Sequence, residues 1–483
     1  MDEKNIQKTK LIYGLRVCAA VLAAYVLLVC VFRFLAGDQF LYRESKGNIM
    51  LQPAFAGAVE LTDGVVVEQS FYPNIQRLQS VSVQWATYYR ANSGHVALEL
   101  FDLRDNTLLM SGTFAAEEIQ EGQSLTISPS EPIEGLYGAP LLLRIHADSE
   151  PGHGVTPLMA DITLENSSLS INGAAAEGTI CFSASGEDYI WTGLHYWKIT
   201  AISTAALSVI LLWVLHCYIH EKHSYILYMI AAMKRYKFLI EQLVSRDFKT
   251  KYKRSVLGVM WSFLNPLLMM MVQYVVFSNI FRTNIERFPA YLLTGIVCFN
   301  FFSEACSMSL VSIIINAGLI TKVYVPKYIY PLTRVMSSVI NLVISLVPLA
   351  LVCALTGVRL HRATVLVLFF LLCLTVFSLG LGLMLSALMV FFRDTQFLWN
   401  VVNMIWMYAT PLFYPESIIP DRFHFVLDLN PIYYFIKGAR MCILNGQSPE
   451  PLVYVKCMFV ALASLLIGAT IFGKTQDKFA LYL

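Results

Sequence analysis

Eight residues near the end of the chain match the motif of a phosphate-binding loop. The stretch GATIFGKT, Gly468–Thr475, satisfies G-x-x-x-x-G-K-[ST] letter for letter. In nucleotide-binding domains this loop follows a buried strand and opens a helix, so that its backbone N–H groups surround phosphates. Whether Gly468–Thr475 can do this chemistry depends on the elements around it.

Three histidines raise the question of a metal site. His216 and His220 are four residues apart, and His223 follows them. The letters HEKH lack the spacing of H-E-x-x-H, and no nearby cysteine or acidic group completes a ligand set. We therefore expect no metal site in this chain.

Composition predicts a helical membrane protein. The 483 residues are 57% hydrophobic and 14% charged, with a mean hydropathy of +0.59, whereas soluble chains carry about a quarter charged residues. The sequence contains several apolar runs of about 20 residues, the length that crosses a bilayer as a helix. The eight predicted spans are Ile12–Phe34, Trp197–Ile219, Val256–Phe281, Pro289–Ile314, Leu332–Gly357, Thr364–Phe391, Phe397–Tyr414 and Leu452–Phe472.

These spans argue against a nucleotide site at GATIFGKT. Gly468–Phe472 completes the last apolar run, and eight residues follow Thr475. A strand–loop–helix unit has no room there, so the motif match is expected to be accidental. Lys474 is predicted to be a cytoplasmic flank of the last helix.

Charge orients the predicted spans. Residues 37–196 hold 6 Lys+Arg and 20 Asp+Glu, a net charge of −14. Residues 220–254 carry nine Lys+Arg and three acidic residues, and short basic segments stay on the cytoplasmic side. Both termini are therefore predicted to be cytoplasmic, with residues 37–196 outside.

The outer segment shows the pattern of β-structure. VSVQWATYYR places Val81, Val83 and Trp85 at alternate positions, and HVALEL, SLTISP, PLLLRIHA, DITLEN and TICFSA behave similarly. Alternation with regular turn residues indicates an antiparallel β-sandwich. Its one cysteine, Cys181, leaves no internal disulfide.

The predicted fold is thus an α-helical polytopic membrane protein of about eight spans with an inserted extracytoplasmic antiparallel β-sandwich. It has five parts: an N-terminus with an uncleaved anchor (1–36), the outer domain (37–196), a second transmembrane helix (197–219), a basic segment with an amphipathic interface helix (220–254) and a six-span core (255–483).

Several residues within the spans are candidates for a transport path. Glu304 costs about 2.5–3.5 kcal/mol at membrane depth, so it should face a partner or a wet cavity. Lining a path and pairing with another helix both remain open for it. Phe302, Tyr291 and Tyr414 lie in the outer half of the predicted core, where aromatic side chains either contact cargo or serve as packing and interface anchors.

Five ordered segments of residues 235–483 carry a family resemblance. They are RDFKTKYKRSVLGVMWSFLNPLLMMMV, NAGLITKVYVPKYIYPL, LGLGLMLSALMVFFRDTQFLW, ATPLFYPESIIP with LNPIYYFIKGAR, and KFALYL. Together they resemble the permease half of ABC type-2 exporters, especially those that move teichoic acid, O-antigen and other lipid-linked polysaccharides. The first 234 residues depart from the simple six-span members of that family.

The resemblance implies partners and roles. A homodimer of this permease would pair with two cytoplasmic ATPase chains, which hold the ATP and magnesium. This chain would then be a transport subunit with no cofactor and no catalytic residue of its own. The segment that couples to them would include Asn316, Leu319, Ile320, Lys322, Val323 and Pro326. The basic residues Arg246, Lys249, Lys251, Lys253 and Arg254 would either guide the diphosphate of the lipid-linked glycan or anchor the interface helix and fix topology.

The function expected from this resemblance is export of a lipid-linked polysaccharide across the bacterial cytoplasmic membrane. A drug or small-lipid exporter of the same superfamily is the alternative. A membrane-embedded glycosyltransferase is a weaker one, because no D-x-D motif occurs. The outer domain would either bind emerging glycan, through exposed aromatic residues such as Tyr88, Tyr89 or Tyr137, or dock a partner.

Overall fold

A computed structural model of the chain describes residues 3–37, 40–47, 59–164, 166–220, 225–252, 258, 260–281, 287–322 and 325–483. The chain forms two compact units. We call Leu41–Leu194 the strand-rich unit, and Met1–Phe40 together with His195–Leu483 the membrane unit.

The strand-rich unit consists of short antiparallel strands. They are β1 Tyr42–Gly47, β2 Val66–Phe71, β3 Arg77–Ala86, β4 His95–Asp102, β5 Thr107–Ala115, β6 Ser124–Ile127, β7 Ile133–Glu134, β8 Leu141–Ala147, β9 Thr156–Pro157, β10 Met159–Ala160, β11 Ser168–Ile171, β12 Ala174–Ala176, β13 Thr179–Ile180 and β14 Phe182–Tyr189.

These strands form two sheets and a short ribbon among the described residues. The first sheet has the order β1-β14-β3-β6, with β7 and β9 also on β3, and the second has the order β12-β11-β2-β8-β4-β5. β10 pairs with β13. The strands that begin and end the unit are neighbours, because β1 pairs with β14 from Tyr42↔Tyr189 to Gly47↔Ala184.

One hydrophobic core takes side chains from both sheets. Val81, Val83 and Trp85 of β3 are fully buried, as their alternation predicted. The strand predicted in DITLEN is wrong, since residues 161–164 are irregular. The Thr179 hydroxyl donates to the Ile162 carbonyl at 2.6 Å and accepts from the Leu164 N–H at 3.4 Å, so a side chain replaces strand pairing there.

The helices are α1 Glu3–Ala36, α2 Trp191–Leu194, α3 Tyr196–Ile219, α4 Tyr225–Tyr252, α5 Met260–Phe281, α6 Phe288–Leu310, α7 Ser312–Ile315, α8 Ala317–Ile320, α9 Ile329–Leu355, α10 Val367–Phe391, α11 Thr395–Ala409, α12 His424–Leu429, α13 Pro431–Arg440, α14 Pro451–Thr475 and α15 Phe479–Tyr482. All except α2 belong to the membrane unit.

Seven helices in the described part of the chain are long and apolar enough to cross a membrane: α1, α3, α5, α6, α9, α10 and α14. Of these, α6 is the most enclosed by its neighbours. The first two spans contact each other, since the Tyr196 hydroxyl of α3 donates to the Val29 carbonyl of α1 at 2.7 Å.

The eighth predicted span, Phe397–Tyr414, is not a helix of membrane length. The helix there, α11, has 15 residues, which at about 1.5 Å per residue falls short of the hydrocarbon core. It ends at Ala409 because Pro411 restricts the backbone of Thr410 and supplies no N–H donor.

Candidate functional site

The site begins with α4, the helix predicted to lie in the membrane interface. Its sequence contains four lysines, three leucines and two each of alanine, methionine and arginine, all of which favour helix formation. Ile240, Leu243 and Asp247 are buried, and their spacing places them on one face. Lys249 and Lys251 are exposed. A buried acid on the apolar face requires a partner.

That partner lies on another helix. Asp247 Oδ2 is 3.0 Å from the guanidinium of Arg334 on α9, and the two side chains are 5% and 11% exposed. The contact is electrostatic, because Oδ2 receives no hydrogen bond of good geometry. Arg246 donates to Asp247 Oδ1 and to Asn316 Oδ1, both at 3.3 Å. These contacts join α4, α9 and the segment around Asn316.

Glu304 on α6 forms a second link to α4. One oxygen, Oε1, accepts from Lys251 Nζ at 2.7 Å and from the Asn341 amide at 2.7 Å. The acid at membrane depth therefore has a basic partner on α4 and an amide partner on α9. The sequence predicted that Glu304 needs a partner or a wet cavity, and gave no sign of which residues meet it.

Glu304 also lines two cavities. The larger, of about 600 Å³, is lined by Arg246, Asp247, Thr250, Lys251, Glu304, Met308, Ile315, Asn316 and Arg334. The second, of about 300 Å³, is lined by Lys251, Trp261, Ser262, Asn265, Pro266, Asn300, Glu304, Asn341 and Ser345. Lys251 and Glu304 line both. The larger cavity carries three cationic and two acidic side chains, so its formal charge is positive.

The remaining predicted basic residues fall outside this cavity or outside the description. Lys249 is exposed on α4 and is not among the lining residues. Lys253 and Arg254 lie outside the described residues. Of the five predicted phosphate contacts, the structure brings Arg246 and Lys251 together at one cavity.

The predicted coupling segment begins at Asn316, the residue between the short helices α7 and α8, and includes α8. The Asn316 amide donates to the Ser312 carbonyl at 2.8 Å. Leu319 and Ile320 are half-buried and pack against a cluster that includes Ile240 and Leu243 of α4. Lys322 is exposed and Pro326 half-buried, whereas Val323 lies outside the described residues.

The three aromatic candidates for a transport path lie away from the Glu304 cavities. Phe302 is fully buried and contacts the rings of Phe377, Trp399 and Trp406. The Tyr291 hydroxyl donates to the Tyr414 carbonyl at 2.9 Å. Phe302 is therefore core packing, and Tyr291 and Tyr414 belong to a separate set of contacts.

Arg440 organises that set, and the sequence gave little sign of it. This buried guanidinium donates to the carbonyls of Pro411 at 2.7 Å, Leu412 at 3.0 Å and Tyr291 at 3.3 Å. The guanidinium carbon of Arg440, Cζ, lies 3.5 Å from the centre of the Tyr291 ring. Arg440 thus ties α13 to the irregular chain after α11. An arginine within an otherwise apolar stretch was the available signal.

GATIFGKT is a helix crossing in this structure. Gly468–Thr475 belongs to α14, and the Thr475 hydroxyl donates to the Ile471 carbonyl at 2.8 Å. A Cβ atom on Gly468 would lie 1.9 Å from the Gly380 carbonyl oxygen of α10. The first glycine of the motif therefore permits close packing of two helices, and the helical N–H groups are not free to surround phosphates.

The histidines do not form a metal site within the described residues. The His216 and His220 rings are 4.4 Å apart between centroids, and His223 lies outside the description. No group of three or more His, Cys, Asp or Glu side chains in the described part of the chain is placed to hold a metal ion.

Comparison with known proteins gives a family for the second half of the chain. The family model for "ABC-2 type transporter" matches residues 239–444, from within α4 to just beyond α13. This range contains both cavities, the coupling segment and Arg440. The strand-rich unit and the first two spans lie outside it.

The relatives are permease proteins. The chain is 31% identical over 263 residues to an O-antigen export system permease protein of Myxococcus xanthus, covering 52% of this chain and 98% of the relative. It is 28% identical over 243 residues to the corresponding protein of Klebsiella pneumoniae, covering 50% and 93%. A polysialic acid transport protein of Escherichia coli is 23% identical over 245 residues, covering 50% and 95%. The chain belongs to the ABC-2 type transporter family.

Proposed function

We propose that this chain is the membrane-spanning permease subunit of an ATP-driven exporter, and that its cargo is a lipid-linked polysaccharide of the bacterial cell surface. The names of its relatives, which export O-antigen and polysialic acid, support this cargo class. ATP hydrolysis would take place on two separate ATPase chains, and two copies of the permease would form the transport path in the cytoplasmic membrane.

The observation that carries the proposal is the charged cavity between α4, α6 and α9. Its volume of about 600 Å³ lies within the range of roughly 300–1,000 Å³ for pockets that bind small ligands. It suits the diphosphate head of a lipid carrier, with Arg246 and Lys251 as its cationic partners. An incoming phosphate would compete with Glu304 for Lys251.

The same residues give a route from cargo to ATPase. Arg246 contacts Asn316, the first residue of the coupling segment, which lies between α7 and α8. An anion that draws Arg246 away would therefore act on the segment proposed to touch the ATPase. Energetic coupling between two sites is carried by packed, rigid elements that can adopt two discrete arrangements.

We also propose that the strand-rich unit is an antiparallel β-sandwich outside the cytoplasm. Its shared core supports the sandwich. The charge contrast between residues 37–196, at −14, and the basic residues 220–254 supports its location. Seven crossings alone would place the two termini on opposite sides, so both termini face the cytoplasm only if α11 and the irregular chain after it also carry the chain across the membrane. A cysteine introduced at the exposed Glu117 should react with a membrane-impermeant maleimide in intact cells, whereas one at the exposed Lys322 should react only after lysis.

The cargo is tested by purifying the chain together with its ATPase partner and identifying bound lipids by mass spectrometry. We expect a polyprenyl diphosphate-linked glycan, with about tenfold less in Lys251→Ala and an unchanged amount in Lys249→Ala. Recovery of a short-chain amphiphile instead would favour a small-lipid or drug exporter. Equal recovery from both variants would remove the cavity as the head-group site.

A further inference from the structure

The chain between β3 and β4 contains a strained turn with two tyrosines at its tip. The Arg90 N–H donates to the Thr87 carbonyl at 3.3 Å, which closes the turn. Tyr88 and Tyr89 have φ of 56° and 53°. Two consecutive left-handed residues are typical of a type I′ turn, where Asn-Gly is preferred, and the left-handed region is strained for a residue with a Cβ atom.

A network of polar contacts maintains this conformation. The Glu121 carboxylate accepts from the Thr87 N–H at 2.6 Å and from the Thr87 hydroxyl at 2.8 Å. Burial of Glu121 opposes its ionisation, yet these bonds and those from the N–H groups of Tyr88 and Tyr89 outweigh it, so its pKa is lowered. The buried Asn92 amide also donates to the Thr87 carbonyl at 3.2 Å.

The side chains of the two strained residues are not part of the hydrophobic core of the unit. Tyr89 is 90% exposed and Tyr88 is 49% exposed, so neither ring is placed by burial. Arg90 lies 5.3 Å from the centre of the Tyr88 ring and donates to the Gly154 carbonyl at 2.8 Å, which fixes the far side of the turn. Strained backbone that surrounding contacts hold in place is characteristic of functional sites.

We propose that the Tyr88–Tyr89 turn is a binding site for neutral sugar residues of the exported glycan, which stack on the two rings. This inference rests on the proposed function and adds the site and the sugar class. Tyrosine offers a rigid ring with a hydroxyl for hydrogen bonds at low entropic cost. A sugar presents a comparable combination of C–H faces and hydroxyl groups.

Charge selects against other occupants. Residues 37–196 carry a net charge of −14, and the one cation of the turn, Arg90, is engaged by Glu60. An acidic polymer or an anionic lipid surface would be repelled. Glu117, Glu118 and Glu121 follow β5 and increase the local negative charge. A neutral glycan has no such penalty.

The test measures glycan binding by the full-length chain in nanodiscs on an array of neutral and acidic oligosaccharides, followed by calorimetry with the best neutral binder. We expect Tyr88→Ala/Tyr89→Ala to weaken binding at least tenfold. Tyr72→Ala serves as the control, because Tyr72 is an exposed tyrosine of the same unit outside the left-handed region; this variant should bind normally.

A second variant separates presentation from stability. Tyr88→Asn/Tyr89→Gly supplies the residues the turn prefers, so the unfolding temperature of the strand-rich unit should rise by about 2–4 °C while binding is lost. Glu121→Gln should weaken binding several-fold without removing either ring. A lower unfolding temperature in the Asn-Gly variant, or retained binding, would overturn the proposal.

Other outcomes are equally decisive. The inference fails if the chain binds no neutral sugar, if acidic oligosaccharides bind as well as neutral ones, or if the tyrosines mediate binding to phosphatidylcholine vesicles or to a protein instead. Export by the purified complex is measured on the same variants. A chain that binds neutral glycan but exports no polysaccharide would contradict only the proposed function, and one that exports while the tyrosine variants bind normally would contradict only this site.

Discussion

Asp247 and Glu304 connect α4 to the rest of the membrane unit through ion pairs of opposite sense. In one pair α4 supplies the acid, Asp247, and α9 the base, Arg334. In the other α4 supplies the base, Lys251, and α6 the acid, Glu304. Two residues of α4 that are four positions apart, Asp247 and Lys251, therefore contact two different helices, which fixes both the rotation and the position of α4.

Removing Asp247 should be costly, because it leaves Arg334 buried without its counter-ion. We expect Asp247→Ala to lower the free energy of unfolding by about 3–5 kcal/mol. The control is Glu241→Ala on the same helix, whose pair with Lys237 is exposed and should contribute at most about 1 kcal/mol. Denaturant unfolding of both variants in detergent is the measurement. Similar losses would show that the Asp247–Arg334 pair is dispensable.

Asp102 should make the strand-rich unit sensitive to acid. Hydrogen bonds from Arg104 lower the pKa of this buried carboxyl in the folded state. Its contribution is therefore fully present above the unfolded value of about 3.9 and is lost as pH falls through the lower folded pKa. Thermal unfolding of residues 41–194 between pH 6 and pH 2 should show a shallower pH dependence in Asp102→Asn. Asp105→Asn should retain the wild-type slope.

At the residue scale, sequence reasoning found which side chains were unusual and missed what they meet. Glu304 was predicted to need a partner because a charge at membrane depth is costly. Lys251 could not be chosen from five nearby cations, since the choice depends on how α4 is rotated against α6. Phe302 was a candidate for the path, but its burial follows from ring packing that a sequence does not display. Asn341 and Arg440 were missed for the same reason.

At the scale of elements, α10 and α14 pack backbone against backbone at Gly380 and Gly468. Small residues allow helix backbones to approach in membranes, where packing replaces the hydrophobic effect as the driving force. A Cβ atom on Gly380 would lie 2.3 Å from the Ser464 carbonyl carbon. Glycine on each helix accommodates the backbone of the other.

Two glycines of GATIFGKT offer a matched comparison. Gly468→Ala should destabilise the membrane unit by about 1–3 kcal/mol, because the added methyl group meets backbone that cannot move away. Gly473→Ala has no atom within 4 Å of the new Cβ and should be neutral or slightly stabilising, since alanine favours a helix. Thermal unfolding in detergent would reveal the difference. Equal effects would contradict the crossing.

The same motif gives a functional prediction. The purified chain should neither bind nor hydrolyse ATP, and Lys474→Ala should leave the ATPase rate of the complex within about twofold. Gly468–Thr475 forms the C-terminal end of α14, whereas phosphates bind the free backbone N–H groups at a helix N-terminus. Photocrosslinking with an azido-ATP analogue is the direct measurement. Labelling of this chain at Lys474 would reverse the conclusion.

Element type was predictable wherever the pattern was long and regular. Seven of the apolar runs predicted as spans correspond to long helices in the structure, and the alternation predicted the buried face of β3. The pattern failed where one residue overrides the average. Pro411 ends α11 inside an apolar run, and Thr179 replaces strand pairing at residues 161–164 with its hydroxyl. Both depend on a single local contact that a window of hydropathy averages away.

At the scale of the whole molecule, the chain combines a membrane unit with a strand-rich unit that has its own core. The strand-rich unit is a continuous segment, Leu41–Leu194. Its sequence is acidic, with six basic and 20 acidic residues over positions 37–196. All the buried residues of its hydrophobic core lie within this segment.

Residues 41–194 should therefore fold alone as a soluble monomer. A segment of this size with its own core meets the requirements of a domain, and its one cysteine, Cys181, is buried and free. Burial raises the pKa of that thiol to about 11, so it should remain protonated and unreactive at neutral pH. A cooperative thermal transition with β-type circular dichroism is expected. A disordered or aggregated product would show that the membrane unit is required for folding.

The pairing of β1 with β14 has a consequence for how such a chain can originate. Tyr42 and Tyr189 are direct partners in an antiparallel ladder, so their Cα atoms are about 4.5–5.5 Å apart, close to the distance between adjacent residues. The chain between Tyr42 and Tyr189 therefore links α1 to α3 over a distance that a short hairpin loop would also span. A single genetic insertion or deletion between these positions could add or remove the whole unit while leaving the two spans in contact. Replacing residues 43–188 by Asn-Gly would produce a chain in which a two-residue turn takes the place of the unit.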